Sequence, residues 1–362
     1  MLSMNCRPAL FAFVLSLSLA ASAHANSKDR QLDIYWTDVE GGGATLIVTP
    51  AGESILIDSG NPGTRDAGRI HKTAAAIAGL KKIDYYITTH FHADHFGGAA
   101  QLSTLIPIGQ VYDNGIPAHD PDFSPSDALW ILASKPYRSF ACDGRNLVSA
   151  GLVLPLKQVA GASKLALRCV ASRQTFIPVP PGAATNPISA ENSHKVLPPT
   201  DNDNSSAWVL SFGPFRFWDG GDLTWNMEGA LVVPFNRVGQ VDVYQVDHHG
   251  LDVSNNPVLI HSLAPTVSVM NDGITKGTAK STIEGLKSSP GLQSMYQMHK
   301  NLRPADPEDN TVDAFIANVS QDPNTCTANY IKLSVAPGGG TYTVSIPATG
   351  QTQTYPTRLD KS

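Results

Sequence analysis

The stretch His90-Phe91-His92-Ala93-Asp94-His95 places four potential metal ligands within six residues. An apolar and β-branched run at 82–89 comes directly before it and predicts a buried strand. The small-residue segment at 96–100 comes directly after it and predicts the start of a helix. The four ligands are therefore expected on a loop between a strand and a helix, where side chains converge while the flanking elements stay rigid.

The residue types in this loop are those of a metal site. His90 and His92 are two residues apart, so in an extended backbone their side chains point the same way. Asp94 and His95 follow a turn and can face a second ion close by. Imidazole with carboxylate suits Zn²⁺, and Mn²⁺ or Fe²⁺ accepts the same mixture. Because the chain has only 11 histidines in 362 residues, three of them in one loop predict a metal centre rather than a surface patch.

The pattern His-x-His-x-Asp-His after a strand resembles the signature of the metallo-β-lactamase fold superfamily. Other motifs stand in the order typical of that superfamily, at 36–43, 55–60, 220–222 and 247–250. The order resembles most closely the hydrolase domain of competence-type (ComEC-like) DNA-uptake proteins and, more distantly, phosphorylcholine esterase. The resemblance extends from about Leu32 to Met270. It implies an α/β fold, a four-layer αββα sandwich of the metallo-β-lactamase type, with one or two zinc ions.

The resemblance also implies roles for two aspartates outside the loop. Asp58 ends a predicted strand and would support the metal loop without itself binding the metal. Asp222, in the run Gly220-Gly221-Asp222, would bridge two metals, because a carboxylate has two oxygens to share between two cations. Asp219 is the alternative bridge, or it caps the turn. Glu228 is more typical of a helix surface than of a ligand.

The pair His248-His249 follows another predicted strand, 241–246. Neighbouring residues of a strand face opposite ways, so the two histidines are not expected to be equivalent ligands. By analogy with phosphoesterase-like relatives, His249 would bind metal and His248 would face the substrate as a proton donor. The swapped assignment stays open, because the strand register is not visible in the sequence.

The expected metal ligands are collected from these motifs as His90, His92, Asp94, His95, Asp222 and His249. The expected catalytic residues are His248 and Asp94, the latter orienting a metal-activated water while it holds an ion. Lactamases of the superfamily carry another histidine before the strand that starts near Trp208, but here the loop 201–206 has none. That departure favours hydrolysis of a phosphoester or phosphodiester. The alternatives are an amide or lactone (β-lactamase-like) hydrolase, or a metal-stabilised, non-catalytic binding module of an uptake or envelope system.

Composition excludes some classes of protein. The chain is 42% hydrophobic and 16% charged, which is typical of a globular protein. Its net charge of -5 provides no basic field for strong nucleic-acid binding. A small-molecule or phosphodiester substrate remains compatible with this charge.

Residues 1–25 read as a signal peptide, with Arg7, the apolar run 9–20 and small residues at 21–25 as a cleavage site. They predict a secreted or periplasmic protein with no transmembrane segment after cleavage; an uncleaved anchor is the alternative. Residues 31–350 are expected to form a single domain, with a pocket-loop insertion around 112–200 and a β-rich C-terminal extension from 271. In an oxidising compartment, Cys142 and Cys169 are the nearest candidates for a disulfide, and Cys326 would be left over.

Overall fold

The structure, a computed structural model, describes residues 29–303, 309–320, 322 and 325–359. Its strands are β1 Leu32–Trp36, β2 Thr45–Val48, β3 Ser54–Ile57, β4 Ile83–Ile87, β5 Ile108–Asp113, β6 Gly144–Leu147, β7 Leu165–Ser172, β8 Thr175–Phe176, β9 Ala207–Phe212, β10 Phe215–Asp219, β11 Val243–Gln245, β12 Val267–Met270, β13 Ser294–His299, β14 Ile316–Asn318, β15 Ile331–Val335, β16 Thr341–Ile346 and β17 Gln351–Pro356. Its α-helices are α1 Thr64–His71, α2 Ala93–Phe96, α3 Ala99–Ser103, α4 Ala128–Ser139, α5 Trp225–Val232, α6 Pro257–Leu263 and α7 Lys280–Lys287. A π-helical turn, Lys72–Ile77, continues α1, and short 3-10 turns lie at Ser189–Glu191, Asp201–Asn204, Asp247–Gly250 and Asp313–Phe315.

The strands form two sheets that pack face to face. The first sheet has nine strands in the order β17-β16-β15-β1-β2-β3-β4-β5-β6, and the second has eight in the order β14-β13-β12-β11-β10-β9-β7-β8. Apolar side chains of both sheets, among them Trp36 of β1 and Phe212 of β9, share one core between them. The outer face of the first sheet packs against α1, α3 and α4, and that of the second against α5, α6 and α7. This confirms the predicted four-layer αββα sandwich.

Parallel pairing brings the candidate site to one edge. Strands β3 to β6 run parallel in the first sheet, and β10 to β14 run parallel in the second. Loops at the carboxyl ends of parallel strands meet at a common edge, where layered α/β folds place their ligand sites. The loops after β4, β10 and β11 carry the motifs that the sequence singled out.

The structure adds three details to the predicted organisation. The segment from 271 contributes β13 and β14 to the second sheet and β15 to β17 to the first. The last strand ends at Pro356, beyond the predicted boundary of 350. The cysteines described are free: Cys142 packs on the outer face of the first sheet and Cys169 between the sheets, so they do not form a disulfide.

The predicted signal peptide, residues 1–25, lies outside the described residues. Across the described ranges, no helix combines the length and the apolar character that crossing a membrane requires.

Candidate metal centre

The metal loop is held to the end of β3 by Asp58. The carboxylate of Asp58 accepts hydrogen bonds from the backbone N–H of Thr89 (2.9 Å) and from its hydroxyl (2.7 Å). Asp58 itself has a φ of 61°, in the left-handed region that few non-glycine residues adopt. That conformation turns its side chain under the loop, so Asp58 takes the supporting position that the sequence predicted for it.

A glycine turn after β1 closes on the loop from the other side. The backbone N–H of Gly43 donates to the carbonyl of Asp94 at 3.0 Å. A Cβ at Gly43 would lie 2.9 Å from both Oδ2 of Asp58 and Nδ1 of His95, closer than real Cβ atoms come. Only glycine therefore allows the turn to approach the loop this closely.

Four side chains gather into the first group of ligand atoms: Asp94, His95, Asp222 and His249. Oδ1 of Asp222 lies 3.1 Å from Nε2 of His95 and 3.4 Å from Nε2 of His249. Oδ2 of Asp94 lies 3.6 Å and 3.3 Å from the same two nitrogens. The two nitrogens are themselves 3.2 Å apart. A tetrahedral ion held at about 2.0–2.1 Å needs ligand atoms roughly 3.3–3.4 Å apart, so these spacings match one zinc-sized cation.

His90, His92 and Asp222 make up the second group, so Asp222 belongs to both. Its Oδ2 lies 3.9 Å from Nε2 of His90. Nε2 of His92 contacts the Asp122 carboxylate at 2.8 and 3.0 Å, so it donates there and leaves Nδ1 as the nitrogen with a free lone pair. Two adjoining ligand groups with a shared carboxylate are the arrangement of a two-metal centre.

In three of these histidines, Nδ1 contacts a residue that is not among the candidate metal ligands. Nδ1 of His95 contacts Asp58 at 2.7 Å, and Nδ1 of His249 contacts the carbonyl of Asn271 at 3.2 Å. Nδ1 of His90 contacts the Thr89 hydroxyl at 3.1 Å. Because carboxylate and carbonyl oxygens only accept, we assign the proton of His95 and of His249 to Nδ1. Histidines that bind metals are oriented in this way.

The donor atoms that face the centre fit a divalent cation. Nε2 of His95 and Nε2 of His249 lie 3.2 Å apart, so a proton or a cation must lie between them. Burial would lower the pKa of His95, but the carboxylates of Asp222, Asp58 and Asp94 raise it well above its usual range, so this position favours a positive charge. Among the described residues, the buried Nε2 of His90 and Oδ1 of Asp222 have no hydrogen-bond partner. Buried polar atoms without partners are costly, and coordination would satisfy both.

Charge at the centre is balanced by these contacts. Burial alone would raise the pKa of Asp222, but the nearby imidazoles of His248, His95 and His249 hold it well below its usual range. Burial would likewise raise the pKa of Asp94, and His95, His249 and the Lys276 ammonium together hold it well below its usual range. Both carboxylates are therefore ionised and available to a cation.

His248 and His249 do not lie on a strand. Strand β11 ends at Gln245, and both histidines sit in a tight turn with φ values of 51° and 57°. The alternation of a strand, on which the sequence argument rested, does not apply to these left-handed residues. The two histidines are nevertheless not equivalent, because only His249 belongs to a candidate ligand group. Nε2 of His248 lies 3.2 Å from Oδ2 of Asp222, and Nε2 of His249 lies 3.4 Å from its Oδ1. Each histidine thus faces one oxygen of the shared carboxylate.

The structure brings all the residues selected from sequence to one place: His90, His92, Asp94, His95, Asp222, His248 and His249. Asp219, the alternative bridge, belongs to neither ligand group, and its Oδ1 accepts the N–H of Gly221 at 3.1 Å. Glu228 is completely buried rather than on a helix surface, and its carboxylate accepts the N–H groups of Asn255 and Asn256.

Three more residues border the centre and were not predicted. Asp122 contacts His92, and Lys276 contacts the carboxylate of Asp94. Asn202 lies in the loop that lacks the lactamase histidine, with Nδ2 3.5 Å from Nε2 of His248. None of the three stands in a local ligand motif. Only Asp122 lies in the segment 112–200 that the sequence predicted as a pocket-loop insertion.

Comparisons with known proteins agree with this geometry. A family model described as the metallo-beta-lactamase superfamily matches residues 38–150. The chain is 35% identical over 91 residues to a UPF0173 metal-dependent hydrolase from Cupriavidus metallidurans. That match covers 24% of this chain and 27% of the relative, so the chain spans only about a quarter of this curated relative.

The solved structures that match this chain are distant from it in sequence and have TM-scores below 0.5. One is described as a metal-dependent hydrolase from Parabacteroides distasonis, with 13% identity, a TM-score of 0.39, and coverage of 73% of this chain and 93% of that one. Another is a diphosphatase of the PhnP family, with 12% identity, a TM-score of 0.39, and coverage of 73% and 94%. A third is CmlA, a diiron β-hydroxylase from Streptomyces venezuelae, with 15% identity, a TM-score of 0.38, and coverage of 75% and 53%.

The fold follows from the family match and the architecture together. The segment that matches the family model, residues 38–150, includes the metal loop at residues 90–95. The two sheets and their outer helices complete the four layers. This chain therefore has the metallo-β-lactamase fold.

Proposed function

We propose that this protein is a metal-dependent hydrolase that activates water at a centre of two divalent cations sharing Asp222. The observation that carries the proposal is the position of Asp222, whose oxygens face two separate groups of ligand atoms. One cation would be held by His90, His92 and Asp222, and the other by Asp94, His95, Asp222 and His249. Zinc fits the ligand types best, and manganese or iron is the alternative.

The bound cations would lower the pKa of water toward neutrality and stabilise negative charge in the transition state. The remaining steps belong to the protein. Asp94 would accept a hydrogen bond from the attacking water and orient it. His248 would face the leaving group from the opposite side of Asp222, held in place by the contact of its Nδ1 with the Ser254 hydroxyl at 3.1 Å. Burial lowers the pKa of His248 to about 4 in the metal-free chain, so we assign it hydrogen-bond donation to the leaving oxygen.

Substrate would enter where the centre is open. His90, His95 and Asp222 are buried, whereas the side chains of Asp122 and Lys276 are 42% and 34% exposed. Lys276 places an ammonium group at this opening, beside Asp94. When Asp94 holds a metal ion, this ammonium group would be available to an anionic substrate.

A phosphoester or phosphodiester is the substrate class that this opening supports. The loop 201–206 has Asn202 beside the centre where lactamases of the superfamily have a histidine. The kinship that we propose is with ComEC-like and choline-esterase-like hydrolases, which share that departure. The name of the Cupriavidus relative, a metal-dependent hydrolase, supports the reaction class but gives no substrate.

We further propose that the protein acts in the periplasm or is secreted. The composition of residues 1–25 is the support. N-terminal sequencing of protein from the periplasmic fraction would give a start between residues 22 and 27 if the segment is cleaved there. Intact protein in the membrane fraction would instead indicate an anchor.

The test of the activity compares two reporters on the zinc-loaded chain. We expect metal-dependent cleavage of bis(p-nitrophenyl) phosphate and little or no cleavage of a chromogenic β-lactam. Preferential β-lactam cleavage would replace the phosphodiester assignment with an amide hydrolase. Metal-loaded protein that cleaves neither, nor a panel of phosphomonoesters and lactones, would favour a binding module.

A further inference from the structure

A separate group of metal-type ligands lies outside the candidate centre. Asp38 and Glu40 lie in the turn after β1, His299 ends β13, and Cys326 precedes β15. One donor atom from each lies within 4.8 Å of the others. We call these four residues the Asp38 cluster. None of them has a role in the hydrolysis proposed above.

The individual contacts in the Asp38 cluster are short. Nε2 of His299 lies 2.6 Å from Oδ1 of Asp38 and 3.7 Å from Oε2 of Glu40. Sγ of Cys326 lies 3.2 Å from Oδ2 of Asp38. One thiol, one imidazole and two carboxylates thus converge, and these are the ligand types of a four-coordinate zinc site.

The Asp38 cluster lies close beneath the surface. Asp38 and His299 are fully buried, while Glu40 and Cys326 are partly exposed. A cavity of about 120 Å³ next to it is lined by Arg69 and by 327–330, the residues that follow Cys326. Glu40 and Cys326 are thus the two ligands that an ion from solvent would meet before the buried pair.

Charge counting allows a divalent cation here. Arg69 contacts Oδ2 of Asp38 at 2.9 Å and Oε1 of Glu40 at 3.3 Å, so it neutralises only one of two carboxylates. A divalent cation would displace the proton of the Cys326 thiol and the Nε2 proton of a charged His299. Two positive charges would replace two protons, and the net charge of the buried group would not change.

We propose that the Asp38 cluster binds one thiophilic divalent cation of the zinc type through Asp38, Glu40, His299 and Cys326. Thiolate ligation separates this site from the hydrolytic centre, which has no cysteine among its ligand groups. The site stands independently of the proposed hydrolase activity.

Bound metal at this site would stiffen the support of the hydrolytic centre. Asp38 and Glu40 begin the same turn whose Gly43 bonds to the carbonyl of Asp94. On the other side, the backbone N–H of His299 donates to Asp272, the neighbour of Asn271, whose carbonyl contacts His249. Both connections end at ligands of the first group.

The test uses the full chain, stripped with a chelator and titrated with Co²⁺ under anaerobic conditions. Thiolate coordination produces a near-ultraviolet ligand-to-metal charge-transfer band that histidine and carboxylate ligands do not produce. We expect this band in the wild type and in the matched control Cys142→Ser, and its loss in Cys326→Ser. Zinc content at saturation should fall by one equivalent in Cys326→Ser, and Glu40→Gln should weaken the band.

The proposal is wrong if the wild type shows no charge-transfer band, because Asp38 and His299 would then form only a structural ion pair. A band of equal strength in Cys326→Ser would also overturn it, since another thiol would be the ligand. Far-ultraviolet circular dichroism of each variant establishes that it is folded, so the loss of the band reports the ligand and not the fold.

Discussion

Asp58 accepts a hydrogen bond from Nδ1 of His95 at 2.7 Å, and this contact sets which nitrogen of His95 faces the centre. Asp58 also binds the backbone and the hydroxyl of Thr89, so one carboxylate positions both the loop and a ligand within it. The contact keeps the proton on Nδ1 and leaves the Nε2 lone pair for a cation.

Asp58→Asn should therefore weaken metal binding. Oδ1 of Asp58 accepts from the Thr89 N–H, and Oδ2 accepts from His95. An amide oxygen at the first position puts an NH2 group against Nδ1 of His95, and that group cannot accept the imidazole proton. We expect a loss of roughly 10- to 100-fold in metal affinity, measured by competition with a chromogenic chelator. Asp143→Asn, at an exposed carboxylate that contacts Lys82, is the matched control. Equal affinity in Asp58→Asn and wild type would contradict the supporting role.

Asp222→Asn should affect both ions, because both ligand groups share this carboxylate. We expect zinc content to fall toward zero and phosphodiester turnover to be lost. Asp219→Asn is the informative comparison, since burial raises the pKa of Asp219 to about 7 and an amide resembles its protonated form. If Asp219→Asn loses metal while Asp222→Asn keeps it, the bridge has been assigned to the wrong aspartate.

His248→Gln and His249→Gln separate the roles of the adjacent histidines. His248→Gln should keep its metal and lose roughly 100-fold in kcat, the usual range for one proton-transfer or hydrogen-bonding group. His249→Gln should lose metal from the group that contains Asp94. Metal analysis with steady-state kinetics distinguishes the two. Loss of metal from His248→Gln with full retention in His249→Gln would establish the swapped assignment.

Glu228 should make stability fall as pH rises through neutrality. Burial raises its pKa from 4.5 to about 7, so between these values the folded chain binds more protons than the unfolded chain. Its contribution to stability is present below about pH 4.5 and is lost as pH rises through 7. Glu228→Gln should flatten the pH dependence of the free energy of unfolding between about pH 4.5 and 7, by roughly 1.4 kcal/mol for each unit of pKa shift, as measured by urea unfolding at a series of pH values. An unchanged slope, equal to that of the exposed-site control Glu284→Gln, would count against this.

The ligand set could be predicted because its signals are local. His90, His92, Asp94 and His95 share one loop, and the strand before them places that loop at a sheet edge. Asp222 was selected through the resemblance to the metallo-β-lactamase superfamily, whose Gly-Asp pair follows the corresponding strand; here it follows β10 and reaches the same edge.

Other features depend on contacts that no local pattern encodes. His248 and His249 have positive φ values, which non-glycine residues rarely adopt, so the sequence argument applied strand alternation to what is a turn. Glu228 is polar on a short helix, and only the packing of α5 against the loop before α6 buries it. Lys276 reaches Asp94 from 182 residues away along the chain.

The measurement to make first is the number of zinc ions that each chain binds after it is stripped with a chelator and reconstituted with zinc. It is made on the Cys326→Ser variant, so that the Asp38 cluster does not contribute. Two equivalents per chain, a higher unfolding temperature with zinc, and near-zero content after Asp222→Asn are the results expected for a two-cation centre. A chain that binds no zinc or manganese, and gains no thermal stability from either, would contradict the assignment of the centre.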